Sequence, residues 1–306
     1  MSNVSTLSKE EKRRIATSIK PLTLAQIEGE YRELQAIGTQ ASQKSERCRV
    51  GNNVVDYFTF AQRLETRGKY DMSFYDFLAN WESFQEKKFI QTMVRYYKNE
   101  KNKNGTKNEW VVKKEIYNIC ISSINIIRPL VYMEIYARFH AHTVLDFCAG
   151  WGGAMVGASV IPHVKRYIGI ELNQDLREPY QQLEAFLRPR TYCEFEMRFE
   201  NALDTDYASL PPYDLVFTSP PYYFIQKYPH NVGYVNKDEM DEKLYRPLFS
   251  RTFEHLQPGG HYVLNVSGEV YERVCVPLWG RAHEETIYRK SKRQNQYQER
   301  VFIWRK

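Results

Sequence analysis

The chain has 306 residues, 42% of them hydrophobic and 26% charged, and carries a net charge of +6. That is apolar enough for a packed core, in one large domain or in a domain with a smaller partner, and it excludes a low-complexity or disordered chain. Five scattered cysteines without a CxxC pair predict a reduced intracellular protein with neither disulfide nor structural zinc, and no metal site is expected.

From the N-terminus, Lys9, Glu10, Glu11, Lys12, Arg13 and Arg14 form a charged arm, and residues 1–20 lack the apolar core of a secretion signal. Residues 21–97 are rich in aromatics, with apolar residues at helical spacing over 84–97, and predict a mostly helical region. The run 98–108 holds no apolar residue and predicts a solvated linker. It divides the chain into a helical N-terminal part, 1–109, and a second domain, 110–306. Residues 116–139 predict a helix interrupted near Arg128 and Pro129. The apolar run at 121–136 is broken by Asn125, Arg128, Pro129 and Glu134, so it cannot span a membrane.

Strands and helices then alternate. Strands are predicted at 143–147, 167–171 and 193–200, the last with every second residue apolar. Helices are predicted from 153 and over 175–187, where Pro189 stops the second. A strand at 215–218 is followed by a helix over 239–256, kinked at Pro247, a turn at 257–260 and a strand at 261–266. Residues 284–289 and 300–304 predict a terminal hairpin. Seven strands in this order predict a mainly parallel sheet covered by helices on both faces, with the hairpin antiparallel at one edge.

Two predicted strand ends carry unusual backbone. After 143–147 comes a turn with Gly150, Gly152 and Gly153, which lets the main chain approach a ligand closely. Glu171 ends the next strand 21 residues after Gly150, where a carboxylate commonly accepts hydrogen bonds from ribose hydroxyls. Met155 stands where a dinucleotide motif needs its third glycine, which favours S-adenosylmethionine (SAM), a nucleotide without pyrophosphate. Asn201 and Ala202, after the third strand, are placed to meet the adenine edge.

After 215–218 comes Ser219-Pro220-Pro221-Tyr222. Two prolines fix φ at successive residues and remove two backbone donors. The Pro220 carbonyl and the Ser219 hydroxyl then become acceptors for an amino group, and Tyr222 offers a face to a base swung out of its stack. An amine conjugated to an aromatic ring is a poor nucleophile, and orientation is what it needs.

These segments resemble the SAM-dependent amino-group DNA methyltransferase family, which makes N6-methyladenine or N4-methylcytosine. The likeness covers roughly residues 115–306, and the wording of the two motifs, Tyr223 included, is most similar to enzymes of large DNA viruses. The resemblance implies a Rossmann-like class I methyltransferase fold. It implies a cofactor site of Asp146, Cys148, Ala149, Gly150, Gly152, Glu171, Leu172, Asn201 and Ala202. It also implies catalysis by Ser219, Pro220, Pro221 and Tyr222, and closure over the methionine end of SAM by the run 125–139. Cys148 departs from the family, which usually has phenylalanine there. Tyr223, Gln226, Lys227 and Tyr228 are expected at the flipped nucleotide.

No Cys follows a proline, which disfavours cytosine C5 chemistry. Ser219 leans toward cytosine N4 within the family and the viral likeness toward adenine N6. Adenine N6 in double-stranded DNA is the expectation, with cytosine N4, RNA and a protein glutamine amide as alternative acceptors. A catalytically inactive nucleic-acid-binding module is the reading from another class. With no recognition insertion after Tyr222, residues 1–109 are expected to engage the DNA, helped by basic runs at 98–107, 113–114 and 288–293. Neither a membrane nor a secreted location is expected; a homodimer and a hetero-oligomer both remain open.

Overall fold

Strand β1 (Thr143–Asp146) has no solvated face, and a strand covered on both sides belongs in the middle of a sheet. In the computed structural model, which describes residues 7–45, 47–224, 227, 228, 230, 233–288 and 299–306, it lies there. It pairs in parallel with β2 (Arg166–Ile170) on one side and β4 (Tyr213–Thr218) on the other. β3 (Glu194–Arg198) extends the sheet beyond β2, and β5 (Leu256–Asn265) extends it beyond β4, both in parallel. The hairpin of β6 (Glu284–Tyr288) and β7 (Glu299–Arg305) closes the edge, with β7 antiparallel to β5.

The strand order is β3-β2-β1-β4-β5-β7-β6. This is the expected Rossmann-like α/β sheet, in the arrangement of class I methyltransferases. The order reverses between β1 and β4, so the carboxyl ends of these two strands form the crevice where open α/β sheets receive ligands.

One face of the sheet is covered by the helices Pro129–Arg138, Gly153–Val160 and Arg177–Leu187. The other is covered by residues 237–254 and 268–279. A wider helical turn at Asp241–Tyr245 precedes Pro247, so the ring that cannot donate a hydrogen bond falls at a register change. The helix predicted over 116–139 is two helices, Glu109–Cys120 and Pro129–Arg138. Pro129 occupies the first turn of the second, where its missing N–H is not needed, and Arg128 before it is extended. The turn predicted at 257–260 lies within β5 as an irregularity opposite Tyr213 and Leu215.

The N-terminal helices contribute to two clusters. Ile27, Tyr31, Leu34, Ile37, Val54 and Val55 join the core on one face of the sheet. The Tyr31 hydroxyl donates to Ser159 Oγ at 3.0 Å, and its ring meets Phe186 edge-on at 5.6 Å. A second cluster draws on both sides of the polar 98–108 run, with Phe74, Phe77 and Tyr97 packing alongside Ile116 and Tyr117. The run itself is tied back by Asn102, which bonds Lys107, and by the Lys107–Glu115 ion pair. Both clusters therefore cross the line drawn at 109/110. No described helix is long and apolar enough to cross a membrane.

Removing residues 1–97 would strip buried Tyr31, Leu34, Val54 and Val55 from the core, at roughly 1.5–3 kcal/mol for each large side chain. A chain starting at residue 98 should therefore be insoluble or unfolded, as read by circular dichroism and proteolysis. A stable, cooperatively melting fragment would show that the sheet does not need these helices.

Candidate functional site

The two turns predicted from glycine and proline stand at neighbouring strand ends, β1 and β4. Between them lies Asp146, fully buried. Its carboxylate accepts from the Thr218 hydroxyl at 2.7 Å, the Cys148 N–H at 3.3 Å and the Tyr167 hydroxyl at 3.3 Å. Burial nevertheless pushes its carboxyl up to about 6. Asp146, expected at the cofactor, thus faces the protein interior and couples β1, β2 and β4.

Beyond it the chain turns through Gly150 (φ +56°) and Gly152 (φ +92°), both left-handed. A Cβ on Gly152 would stand 2.8 Å from Leu183 Cδ2, so this glycine serves the start of the helix Gly153–Val160 and does not line the cavity. The Gly150 N–H donates to Glu171 Oε2 at 2.7 Å, and the Asn173 N–H to Oε1 at 2.8 Å. A carboxylate accepts about four hydrogen bonds, so both oxygens keep acceptor capacity toward the cavity. Burial raises the Glu171 carboxyl to about 7 against those two donors.

The turn is braced from two sides. The Tyr180 hydroxyl is shared by the Ala149 and Gly150 carbonyls at 2.9 and 3.2 Å. The Thr59 hydroxyl, on the N-terminal helix Asn52–Arg63, is shared at 3.0 Å by the carbonyls of Val55 and Trp151.

After β4 the successive side chains diverge. Ser219, Pro221 and Tyr222 line the cavity, while Pro220 is buried behind them. The Tyr222 hydroxyl donates to Asn265 Oδ1 at the end of β5, and the Tyr245 hydroxyl donates to the Pro221 carbonyl. Tyr223, expected at the substrate, points the other way into the core. Its hydroxyl donates to Asp241, which also accepts from Arg273 Nε at 2.9 Å, and its ring meets Tyr245 edge-on. Tyr222 lines the cavity and Tyr223 is held in the core by these contacts.

A single cavity of about 1320 Å³ joins the two turns. Cys148, Ala149, Gly150, Glu171, Leu172, Asn201 and Ala202 line it as expected positions, as do Lys227 and Tyr228. Gln226 lies outside the described residues, as does most of the basic run 288–293. Asn201 Oδ1 accepts from the Leu203 N–H at 3.1 Å, which stiffens its own turn. Tyr228 stands against Trp151 with ring centroids 6.3 Å apart.

The run 125–139, expected to close over the cofactor, reaches the cavity through Asn125, Ile126 and Ile127, which precede the helix that begins at Pro129, and through Tyr132 on that helix. Another wall had no motif to announce it. Phe224, strained at φ +42° and 49% exposed, lines it beyond the proline motif. The loop after that motif is fastened to the N-terminal region by two backbone hydrogen bonds between Arg67 and Lys227, at 2.8 and 2.9 Å. Lys227 adds an ion pair to Asp71 at 3.1 Å.

The lining charges are segregated. Around the glycine turn, the described lining residues include Glu171, Asp175, Glu178 and Glu200 against Arg177, with His230 3.4 Å from Asp175. The end walled by the N-terminal helices and the loop is lined by Lys9, Lys12, Arg13, Arg67 and Lys227, with Lys12 paired to Glu65, Arg67 to Asp76 and Lys227 to Asp71. The glycine-turn side of the cavity therefore favours a cation, and the far side carries Lys9 and Arg13 beyond these pairs.

No protein-family model and no curated protein sequence matches this chain. Among solved structures it is similar to TrmN from Thermus thermophilus, at 14% identity and a TM-score of 0.42 over 57% of this chain. That match spans 48% of TrmN, about half its length. An rRNA methylase from Streptococcus thermophilus is similar at 14% identity and a TM-score of 0.43, over 59% of this chain and 98% of that one. An O-methyltransferase from a Brevibacillus brevis polyketide synthase, in complex with S-adenosyl-L-homocysteine, is similar at 18% identity and a TM-score of 0.29, over 41% and 35%. At these identities and TM-scores the likenesses carry no inference about chemistry, which rests on the residues of the site.

The raised carboxyl of Glu171 has a consequence for stability. The folded chain holds a proton there up to about pH 7, whereas the unfolded chain releases it near 4.5. Its contribution is thus present below pH 4.5 and lost as pH rises through 7. Glu171→Gln, which cannot ionise, should lessen the decline between pH 5 and 7.5 by a few kcal/mol, since one pKa unit is about 1.4 kcal/mol. Urea unfolding at both pH values reads this, and identical slopes for variant and wild type would refute it.

Proposed function

We propose that this protein is a SAM-dependent methyltransferase acting on the exocyclic amino nitrogen of a nucleobase, N6 of adenine in DNA. The observation that carries the reading is the sharing of one cavity by the Gly150–Glu171 pair and the Ser219–Tyr222 turn, at the two strand ends flanking the sheet's reversal. A turn that merely ended a strand would have no reason to present its serine and tyrosine to the same space as a ribose-type carboxylate.

The residues fit the cofactor. Glu171 retains acceptor capacity toward the cavity for a ribose diol, and Gly150 allows close approach of the main chain. The acidic half suits a molecule carrying a sulfonium and an ammonium, and it would repel a pyrophosphate. When bound, SAM supplies a methyl group made electrophilic by its positive sulfur.

The chain's own contribution is orientation. Ser219 acts as an acceptor for an amino hydrogen, which turns the nitrogen lone pair toward the methyl group, while Pro220, expected beside it, is buried behind the wall and takes no part. Tyr222 gives the ring a surface to lie on. The basic end of the cavity, built by residues 9–67 and Lys227, accommodates the polymer, and this supports a role for the N-terminal helices in engaging nucleic acid. No cysteine is placed after a proline, and the route is direct displacement without a covalent enzyme adduct: the N–CH3 bond would form as the S–CH3 bond breaks, the sulfur keeping the electron pair, and the nitrogen would then release one proton to water.

Glu171→Ala should weaken SAM binding by about 1.5–3 kcal/mol, the worth of hydrogen bonds to a charged group. Calorimetry giving the wild-type affinity for a folded variant would remove Glu171 from the cofactor site.

Ser219→Ala should slow the single-turnover transfer step while sparing cofactor affinity. Nucleoside analysis of DNA and RNA after incubation with SAM should return N6-methyladenine from DNA. N4-methylcytosine, or product only in RNA, would replace the acceptor, and no product in either would overturn the reading.

A further inference from the structure

Asn265 is an amide in a place that asks for an apolar residue. It ends β5, 1% exposed, on a strand whose neighbours Val263, Leu264 and Val266 are also buried. Its register partner on β7 is Val301. Its Oδ1 accepts from the Tyr222 hydroxyl, but its Nδ2 is buried without a hydrogen-bond partner. Leaving a buried donor unpaired costs a protein stability that a leucine of similar shape would not. Such a group needs an explanation other than packing.

The explanation lies in what Tyr222 must do. A tyrosine at the cavity wall has two free torsions, and an untethered ring sweeps through the space a planar substrate would occupy. Two hydrogen bonds from behind the wall prevent this. Tyr245 holds the backbone at the Pro221 carbonyl, and Asn265 holds the far end of the Tyr222 ring. The residue between them is fixed at both ends.

We propose that Asn265 is a positioning residue for the methyl acceptor: by accepting the Tyr222 hydroxyl hydrogen bond it sets the plane against which the substrate ring lies. The proposal rests on the function proposed above. Asn265 lies behind Tyr222 and is not among the residues lining the cavity, so it acts through the tyrosine alone.

A double-mutant cycle on the full chain tests it, with unmethylated plasmid DNA and RNA as acceptors and radiolabelled SAM as donor. Asn265→Leu and Tyr222→Phe should each lower kcat/KM about ten- to a hundredfold, the scale of a misplaced reacting group. The double variant should fall no further than either single one. SAM affinity should be unchanged in all three, and the melting temperature of Asn265→Leu should equal or exceed that of the wild type. Additive losses, or a loss of activity that follows a lower melting temperature, would reduce Asn265 to a structural residue and overturn the proposal.

A second measurement does not require turnover. With 3-fluorotyrosine at position 222, Asn265→Leu should move the fluorine resonance toward that of the free amino acid. An unmoved resonance would show that no tether exists. A wild-type protein inert toward both DNA and RNA, with a resonance that does move, would strike the proposed function while leaving the tether in place.

Discussion

The hydrogen bond from Thr218 to Asp146 is the constraint on which the site depends. It joins the last residue of β1 to the last residue of β4, in the interior, where a carboxylate without donors would be expensive. With Tyr167, near the start of β2, also donating, one side chain ties three central strands together. The glycine turn and the proline turn begin one residue beyond the ends of β1 and β4, so their separation is set by a bond that neither contains. A displacement there would move the two halves of the site relative to each other, the kind of error to which group transfer is most sensitive.

The same economy appears in the walls. The N-terminal helices supply apolar cover for the sheet, a hydroxyl on the Trp151 carbonyl and a backbone clasp on Lys227. They support the glycine turn from outside and hold the loop that follows the proline turn. A region that reads in isolation as an accessory is structurally part of the cavity. Its electrostatic character differs from that of the acidic wall around the glycine turn.

What was legible in the sequence is what backbone chemistry writes locally. Gly150, Gly152 and the Pro220–Pro221 pair mark turns because their φ preferences are intrinsic, and the alternation over 193–200 marks a strand because the period is local. What could not be read depends on partners far along the chain. Nothing near Thr59 reveals the Trp151 carbonyl 92 residues later, and nothing in β5 distinguishes Asn265 from a polar strand end until Tyr222 is seen beside it. The polarity of the 98–108 run is local in the same way, while Tyr97 and Tyr117 share a core across it. Tyr223 was drawn toward the substrate by its position in a motif, but its direction is set by Asp241, Arg273 and Tyr245.

The uneven charge of the cavity bears on how a turnover would end. In the proposed reaction, the cofactor would arrive as a sulfonium and leave as a thioether, losing the charge on its sulfur beside the carboxylates of the acidic wall. Attraction to the four carboxylates around the glycine turn is therefore greater before the reaction than after it. Glu171 titrates near neutrality and can take up a proton once the cation is gone, relaxing the remaining repulsion. In the proposed reaction, the electrostatics of the cleft would hold the spent cofactor less tightly than the fresh one.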